Sequence, residues 1–60
     1  MDKFIKKRIP VYAYQTNKPV DIKTLEGIMH ANIGDWIVIG SNNERWPVKK
    51  EIFEETYEKL

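Results

Sequence analysis

Residues 34–40 read GDWIVIG and constrain the fold more than any other segment of the chain. Four apolar residues stand in succession there, and successive side chains of a strand point to opposite faces of its sheet. We therefore expect a strand over residues 35–40 that is central and covered on both sides. Gly34 and Asp35 predict the turn that leads into it, because glycine adopts backbone conformations closed to other residues and aspartate bonds its own backbone.

Residues 8–16 alternate with the period of a β-strand. Tyr12 and Tyr14 fall on one face of the expected strand, and aromatic and β-branched residues are typical of strands. The opposite face carries Ile9, Val11 and Ala13. Pro10 has no N–H to donate, so this strand is expected at an edge of the sheet or paired only after the proline.

Residues 20–32 continue the extended pattern past Gly27. They predict either one long strand bent at Gly27 or two short strands around a turn there. Residues 41–43 predict a hairpin loop, since asparagine tolerates the left-handed conformation that such loops need. Residues 44–48 then return as a short strand.

The C-terminal segment changes to a helical period, and residues 49–59 predict a helix with one apolar stripe. The stripe comprises Ile52, Phe53, Thr56, Tyr57 and Leu60. A helix laid on one face of a small antiparallel sheet hides both apolar surfaces. We therefore predict a single α+β domain over residues 1–60, with about four antiparallel strands and one C-terminal helix. A small barrel of the SH3 type is the alternative.

Size and composition bound what the chain does. Sixty residues bury only about 60% of the unfolded surface, so disulfides, a metal or a partner subunit often help such chains. The sequence has no cysteine and a single histidine, His30, which excludes disulfides and thiolate metal sites and predicts no cofactor. No apolar run is long enough to span a bilayer and no signal peptide is recognised, so we expect a soluble, cytoplasmic protein.

Net charge is +1, but the charges are unevenly spread. The beginning is basic, with Lys3, Lys6, Lys7, Arg8 and Lys18 in the first 18 residues. The end is acidic, with Glu51, Glu54, Glu55 and Glu58 in the last ten. This asymmetry either guides a partner or pairs within the molecule.

Several motifs resemble a family of short uncharacterised proteins encoded by tailed phages and prophages of Gram-positive bacteria. They are the TLEG motif at residues 24–27, GDWIV at residues 34–38 and the pattern PVK-x-x-IFEETYE at residues 47–58. The resemblance covers nearly the whole chain, although the connection before TLEG is shorter here than in many members. The resemblance implies that the protein is encoded by a phage or prophage and is located in the cytoplasm of the bacterial host. It implies no particular chemical activity.

Both tryptophans lie in one predicted hairpin, where we expect Trp36 and Trp46 to be diagonal or cross-strand neighbours. At least one is expected to pack under the helix on Phe53 and Tyr57. Exposed tryptophan and arginine are enriched at binding hot spots. We therefore predict a protein-binding surface formed by Tyr12, Tyr14, Arg45 and Trp46.

The remaining hypotheses concern nucleic acid, self-association and catalysis. Cations beside aromatic rings suit phosphates and bases, so Lys6, Lys7, Arg8, Tyr12 and Tyr14 form the alternative nucleic-acid-binding set. Against this alternative, the net charge of the chain is lower than the net charge of dedicated nucleic-acid-binding proteins.

No catalytic nucleophile, paired carboxylates or glycine-rich phosphate loop is recognised, so we expect no enzyme. The leading hypothesis is a phage accessory protein that binds a host or defence protein, and a self-associating assembly protein is a further alternative.

Overall fold

The computed structural model describes residues 1–5 and 7–60 and shows an α+β fold. Antiparallel strands form two small sheets, and a helix follows them, which confirms the predicted fold class. The described strands do not close into a barrel, so the SH3-like alternative is wrong. The elements are β1 (Tyr12–Gln15), β2 (Val20–Thr24), β3 (Gly27–Ala31), β4 (Trp36–Ile39), β5 (Arg45–Val48) and α1 (Lys50–Thr56).

Strand β4 lies at the centre of a three-stranded sheet, between β1 and β5. Its two middle residues, Ile37 and Val38, point to opposite faces, and both are 0% exposed. The expectation of a central strand covered on both sides is therefore confirmed. The register places Gln15 and Val48 beside Trp36, and Tyr12 and Arg45 beside Ile39.

Strands β2 and β3 form a separate hairpin, so residues 1–5 and 7–60 contain five strands, against the expected number of about four. Of the two alternatives for residues 20–32, the structure has two short strands around a turn at Leu25 and Glu26. The Thr24 hydroxyl fixes this turn, because it donates to the carbonyl of Gly27 and accepts from the N–H of Glu26. Gly27 has a φ of 112°, which side chains disfavour.

Strand β1 is shorter than the predicted strand over residues 8–16. Tyr12 pairs with Ile39, the last residue of β4, so residues 8–11 extend past the end of their neighbour. An alternating sequence pattern thus continues where the three-stranded sheet offers no partner.

The loop between β4 and β5 has the left-handed asparagine that the sequence predicts for residues 41–43. This residue is Asn43, which has a φ of 63°.

The core is small and lies mainly between the hairpin and one face of β4. Ile22 and Ala31 of the hairpin pack with Ile37, and Val20 borders this cluster. On the opposite face of β4, the Trp36 ring stacks on Phe53 of α1, with centroids 4.3 Å apart and planes 9° apart. The predicted contact of Trp36 with the helix is therefore present.

Helix α1 is shorter than the predicted helix over residues 49–59, because it ends at Thr56 and Tyr57 already has extended backbone. Its start is held by Asp35, whose Oδ1 accepts the N–H of Lys50 at 3.4 Å. The predicted apolar stripe is only partly buried. Phe53 and Tyr57 are half-buried and stacked at 4.7 Å, whereas Ile52, Thr56 and Leu60 are exposed.

Candidate binding surface

The four residues predicted to bind protein do not lie on a single face of the sheet. Tyr12, Ile39 and Arg45 form one row across β1, β4 and β5, and Tyr14 lies on the same face. Tyr12 is 82% exposed and Tyr14 is 47% exposed. Trp46 follows Arg45 in β5 and therefore points to the opposite face, where the register makes it a diagonal neighbour of Trp36.

Trp46 is half-buried, and it borders an open cleft between β5 and the turn of the β2–β3 hairpin. The cleft has a volume of about 330 Å³. Its apolar walls are Leu25 and Met29 on the hairpin and Trp46 and Pro47 on β5. Thr24, Glu26, Glu44 and Arg45 complete the lining. The structure thus brings the predicted Arg45 and Trp46 together with hairpin residues, and it leaves both tyrosines outside the cleft.

Six of the eight residues that line the cleft were not among the predicted site residues, and the exposed apolar ones of these six are Leu25 and Met29. Leu25 is 92% exposed at the hairpin turn, and Met29 is 43% exposed on β3. The sequence holds one signal for this apolar surface, namely Leu25. It is a large apolar residue inside the TLEG motif at residues 24–27, whose other residues are polar or glycine. The meeting of Leu25 and Met29 with Trp46 depends on how the hairpin packs against β5, which no local pattern specifies.

Glu44 gives the cleft an unsatisfied acceptor. Its side-chain Oε2 is buried and has no hydrogen-bond partner. The carboxylate lies over Gly40 beside the Trp46 ring, in space that a Cβ at residue 40 would enter. A buried acceptor without a donor costs about 1–3 kcal/mol.

His30 lies elsewhere on the surface, on β3 opposite Asp21 of β2. Its Nδ1 is 2.8 Å from Asp21 Oδ1, and its Nε2 is 3.1 Å from Asn32 Oδ1. The hydrogen bond to Asp21, supported by the one to Asn32, raises the pKa of His30 above its ordinary value, against a smaller lowering by desolvation. Asp21 is nine residues from His30 in the sequence, and the hairpin register brings the two side chains together.

The residues of the alternative nucleic-acid-binding set are exposed wherever the structure describes them. Lys7 and Arg8 are exposed in the segment that precedes β1, while Lys6 lies outside the described residues. Tyr12 and Tyr14 follow on β1 with exposed rings. In the part of the chain that the structure describes, the only ion pair joins His30 to Asp21, so no carboxylate neutralises Lys7 or Arg8.

Residues 1–5 and 7–60 contain no group of three or more potential metal-ligating side chains. Over the same residues, no helix has the length and apolarity to cross a bilayer. Comparisons with protein-family models, with curated proteins and with solved structures found no match to this chain.

Proposed function

We propose that this protein acts by binding another protein, and that the cleft between β5 and the hairpin turn is the binding site. The observation that carries the proposal is the exposed apolar pair Leu25 and Met29, which line the cleft together with Trp46 and Pro47. The motif resemblance adds the setting, a phage or prophage accessory protein in the cytoplasm of a bacterial host, with a host or defence protein as the partner.

Exposed apolar side chains in a concave site favour a protein ligand. Burial of apolar surface contributes about 25 cal/mol per Å², so the cleft walls gain free energy when a partner covers them. Tryptophan and methionine are enriched in the cores of protein interfaces. Methionine also adapts its shape to different partners, because its side chain is unbranched and flexible.

The polar groups of the cleft specify the partner's chemistry. Glu44 offers a buried oxygen without a donor, and Glu26 adds a second carboxylate against the single cation of Arg45. The complementary segment therefore carries an apolar side chain next to a lysine or arginine. The apolar group occupies the walls, and the cation donates to Glu44.

Leu25→Asp is the variant that tests this site most directly. Leu25 lies at an exposed turn, so its replacement leaves the core intact and places a charge in the apolar cleft. Ile28→Asp is the matched control, because Ile28 is 75% exposed on the same hairpin and does not line the cleft. Thermal unfolding of both variants checks that each remains folded.

The assay is capture from a Gram-positive host lysate with each variant as bait, with and without nuclease, followed by mass spectrometry. We expect a protein that is retained by the wild type and by Ile28→Asp, and is lost with Leu25→Asp, in both nuclease conditions. Trp46→Ala should weaken the same capture. Equal retention by Leu25→Asp and the wild type would contradict the cleft as the site.

Nucleic acid is the second candidate, and the exposure of Arg8, Tyr12 and Tyr14 favours it. Cations and aromatic rings on one segment suit a single strand, with phosphates on the cations and bases on the rings. Binding of this kind weakens steeply as salt rises, because condensed counterions are released. A capture that disappears with nuclease, and that does not depend on Leu25, would favour this candidate over the cleft.

A further inference from the structure

The outer edge of β1 has no partner strand among the described residues. β1 pairs with β4 on one side only, at the edge of the three-stranded sheet. An unpaired strand edge offers a row of N–H and C=O groups to another chain. The hairpin covers part of one sheet face and α1 contacts the other, and neither adds a strand to this edge.

The hydrogen-bond pattern of β1 identifies the groups at that edge. Thr16 donates its N–H to Asp35 and accepts from the N–H of Gly34, both at 2.9 Å on the β4 side. Because residues of an antiparallel strand alternate in direction, Val11, Ala13 and Gln15 direct their backbone groups outward. Pro10 falls in the inward set, so its missing N–H removes no donor from the outer edge.

The described residues 1–5 and 7–9, which we name the basic arm, precede the same strand. Its described apolar side chains, Met1, Phe4, Ile5 and Ile9, are largely exposed. Lys3, Lys7 and Arg8 are exposed between them. The arm therefore presents apolar and cationic groups together, and the strand pattern of residues 8–11 continues beyond the present end of β1.

Helix α1 carries the complementary charge. Glu51, Glu54 and Glu55 are exposed on the helix, Ile52 is exposed beside them, and none of the three carboxylates forms an ion pair with a described residue. Among the described residues, neither the cations of the arm nor the carboxylates of the helix form an ion pair within the chain, so the arm and the helix are complementary between two copies.

The register explains why two copies are needed. The arm leaves β1 at Tyr12, beside Ile39, whereas α1 begins at the opposite end of the sheet, beside Trp36 and Asp35. If a second β1 is added antiparallel to the first, its arm continues past Gln15, toward the end that holds α1. A two-fold axis makes this contact twice.

We propose that two copies of this chain dimerise by antiparallel pairing of their β1 edges, with the basic arm of each copy lying on the acidic helix of the other. This inference goes beyond the proposed function, because it uses a surface separate from the cleft. A standard interface covers about 800 Å² per partner, or about one-seventh of the 5764 Å² exposed here.

Sedimentation velocity at low salt tests the dimer with the full 60-residue protein. We expect the mass to rise from 7.1 kDa to twice that value as the concentration increases. An arm-reversed variant, Lys7→Glu with Arg8→Glu, should raise the dimer dissociation constant about tenfold or more, since both symmetric contacts become repulsive. A helix-reversed variant, Glu54→Lys with Glu55→Lys, should do the same.

Mixing the two variants distinguishes contact between copies from contact within one copy. The acidic arm of one variant meets the basic helix of the other, and the reverse contact is equally restored, so we expect the mixture to dimerise. Lys23→Glu is the control for charge reversal outside the arm, because Lys23 is exposed on β2; it reverses one positive charge, against two in the arm-reversed variant. A wild-type monomer at the highest concentration, or a mixture that stays monomeric, would overturn the proposal.

Discussion

Shortening Ile37 by one methylene tests whether the hairpin and β4 form the principal core. Ile37 is fully buried and packs with Ile22 and Ala31. Ile37→Val removes about 0.8 kcal/mol of burial and leaves a small cavity, so we expect a loss of about 1 kcal/mol in the free energy of unfolding. A chain of this length has a total stability of about 3–9 kcal/mol, at about 0.05–0.15 kcal/mol per residue.

That total determines the choice of substitution. Ile37→Ala would remove about 2–5 kcal/mol, which is comparable to the whole stability and leaves little folded protein to measure. Ile37→Val keeps the protein folded and should lower the melting temperature by about 4–8 °C. The loss should also appear as a lower urea midpoint with an unchanged slope, followed by tryptophan fluorescence.

Ile28→Val is the control for this measurement. It deletes a methylene of the same kind from β3 of the hairpin, but Ile28 is 75% exposed, so its effect should stay within about 0.5 kcal/mol. Equal losses in the two variants, or no loss in Ile37→Val, would refute the assignment of the core to the packing of the hairpin on β4.

Two further predictions concern the helix and the exposed histidine. Phe53→Ala removes the ring that stacks between Trp36 and Tyr57, and should lower the free energy of unfolding in urea by about 2 kcal/mol. Ile52→Ala alters an exposed neighbour and should lower it by less than about 0.5 kcal/mol. Similar losses in the two variants would argue against a stabilising role of the aromatic stack. Asp21 raises the pKa of His30, so protonation stabilises the fold below the ordinary pKa of about 6.5, and this contribution is lost as pH rises through the raised value. Asp21→Asn should lower the pKa of His30 in an NMR titration, and an unchanged pKa would contradict the role of Asp21.

Local patterns in the sequence were sufficient for several features of the fold. The apolar run through Ile37 and Val38 predicted a central strand, since both faces of such a strand must be covered. Asn43 predicted a left-handed loop position because asparagine tolerates that conformation, and the structure has a φ of 63° there. The change to helical period after Lys49 predicted α1 and the packing of Trp36 on Phe53.

Strand lengths depended on partners that local patterns do not specify. Residues 8–11 have the alternation of a strand, but β4 ends at Ile39 and gives them nothing to pair with. In residues 20–32, the side chain of Thr24 closes a turn that makes two strands from one extended pattern. Helix α1 ends at Thr56, so Leu60 of the predicted stripe is exposed.

The candidate site was predicted only in part. Its residues on β5, Arg45 and Trp46, could be chosen from the sequence because their side-chain types are common at interfaces. Leu25 and Met29 could not, since they reach the cleft through the packing of one hairpin against another strand. The sequence by itself thus determined which segments are extended, helical or turning, because backbone preference and side-chain period are local properties. Tertiary structure alone decided which strands pair and which apolar groups share a cleft, because those contacts join residues far apart in the chain.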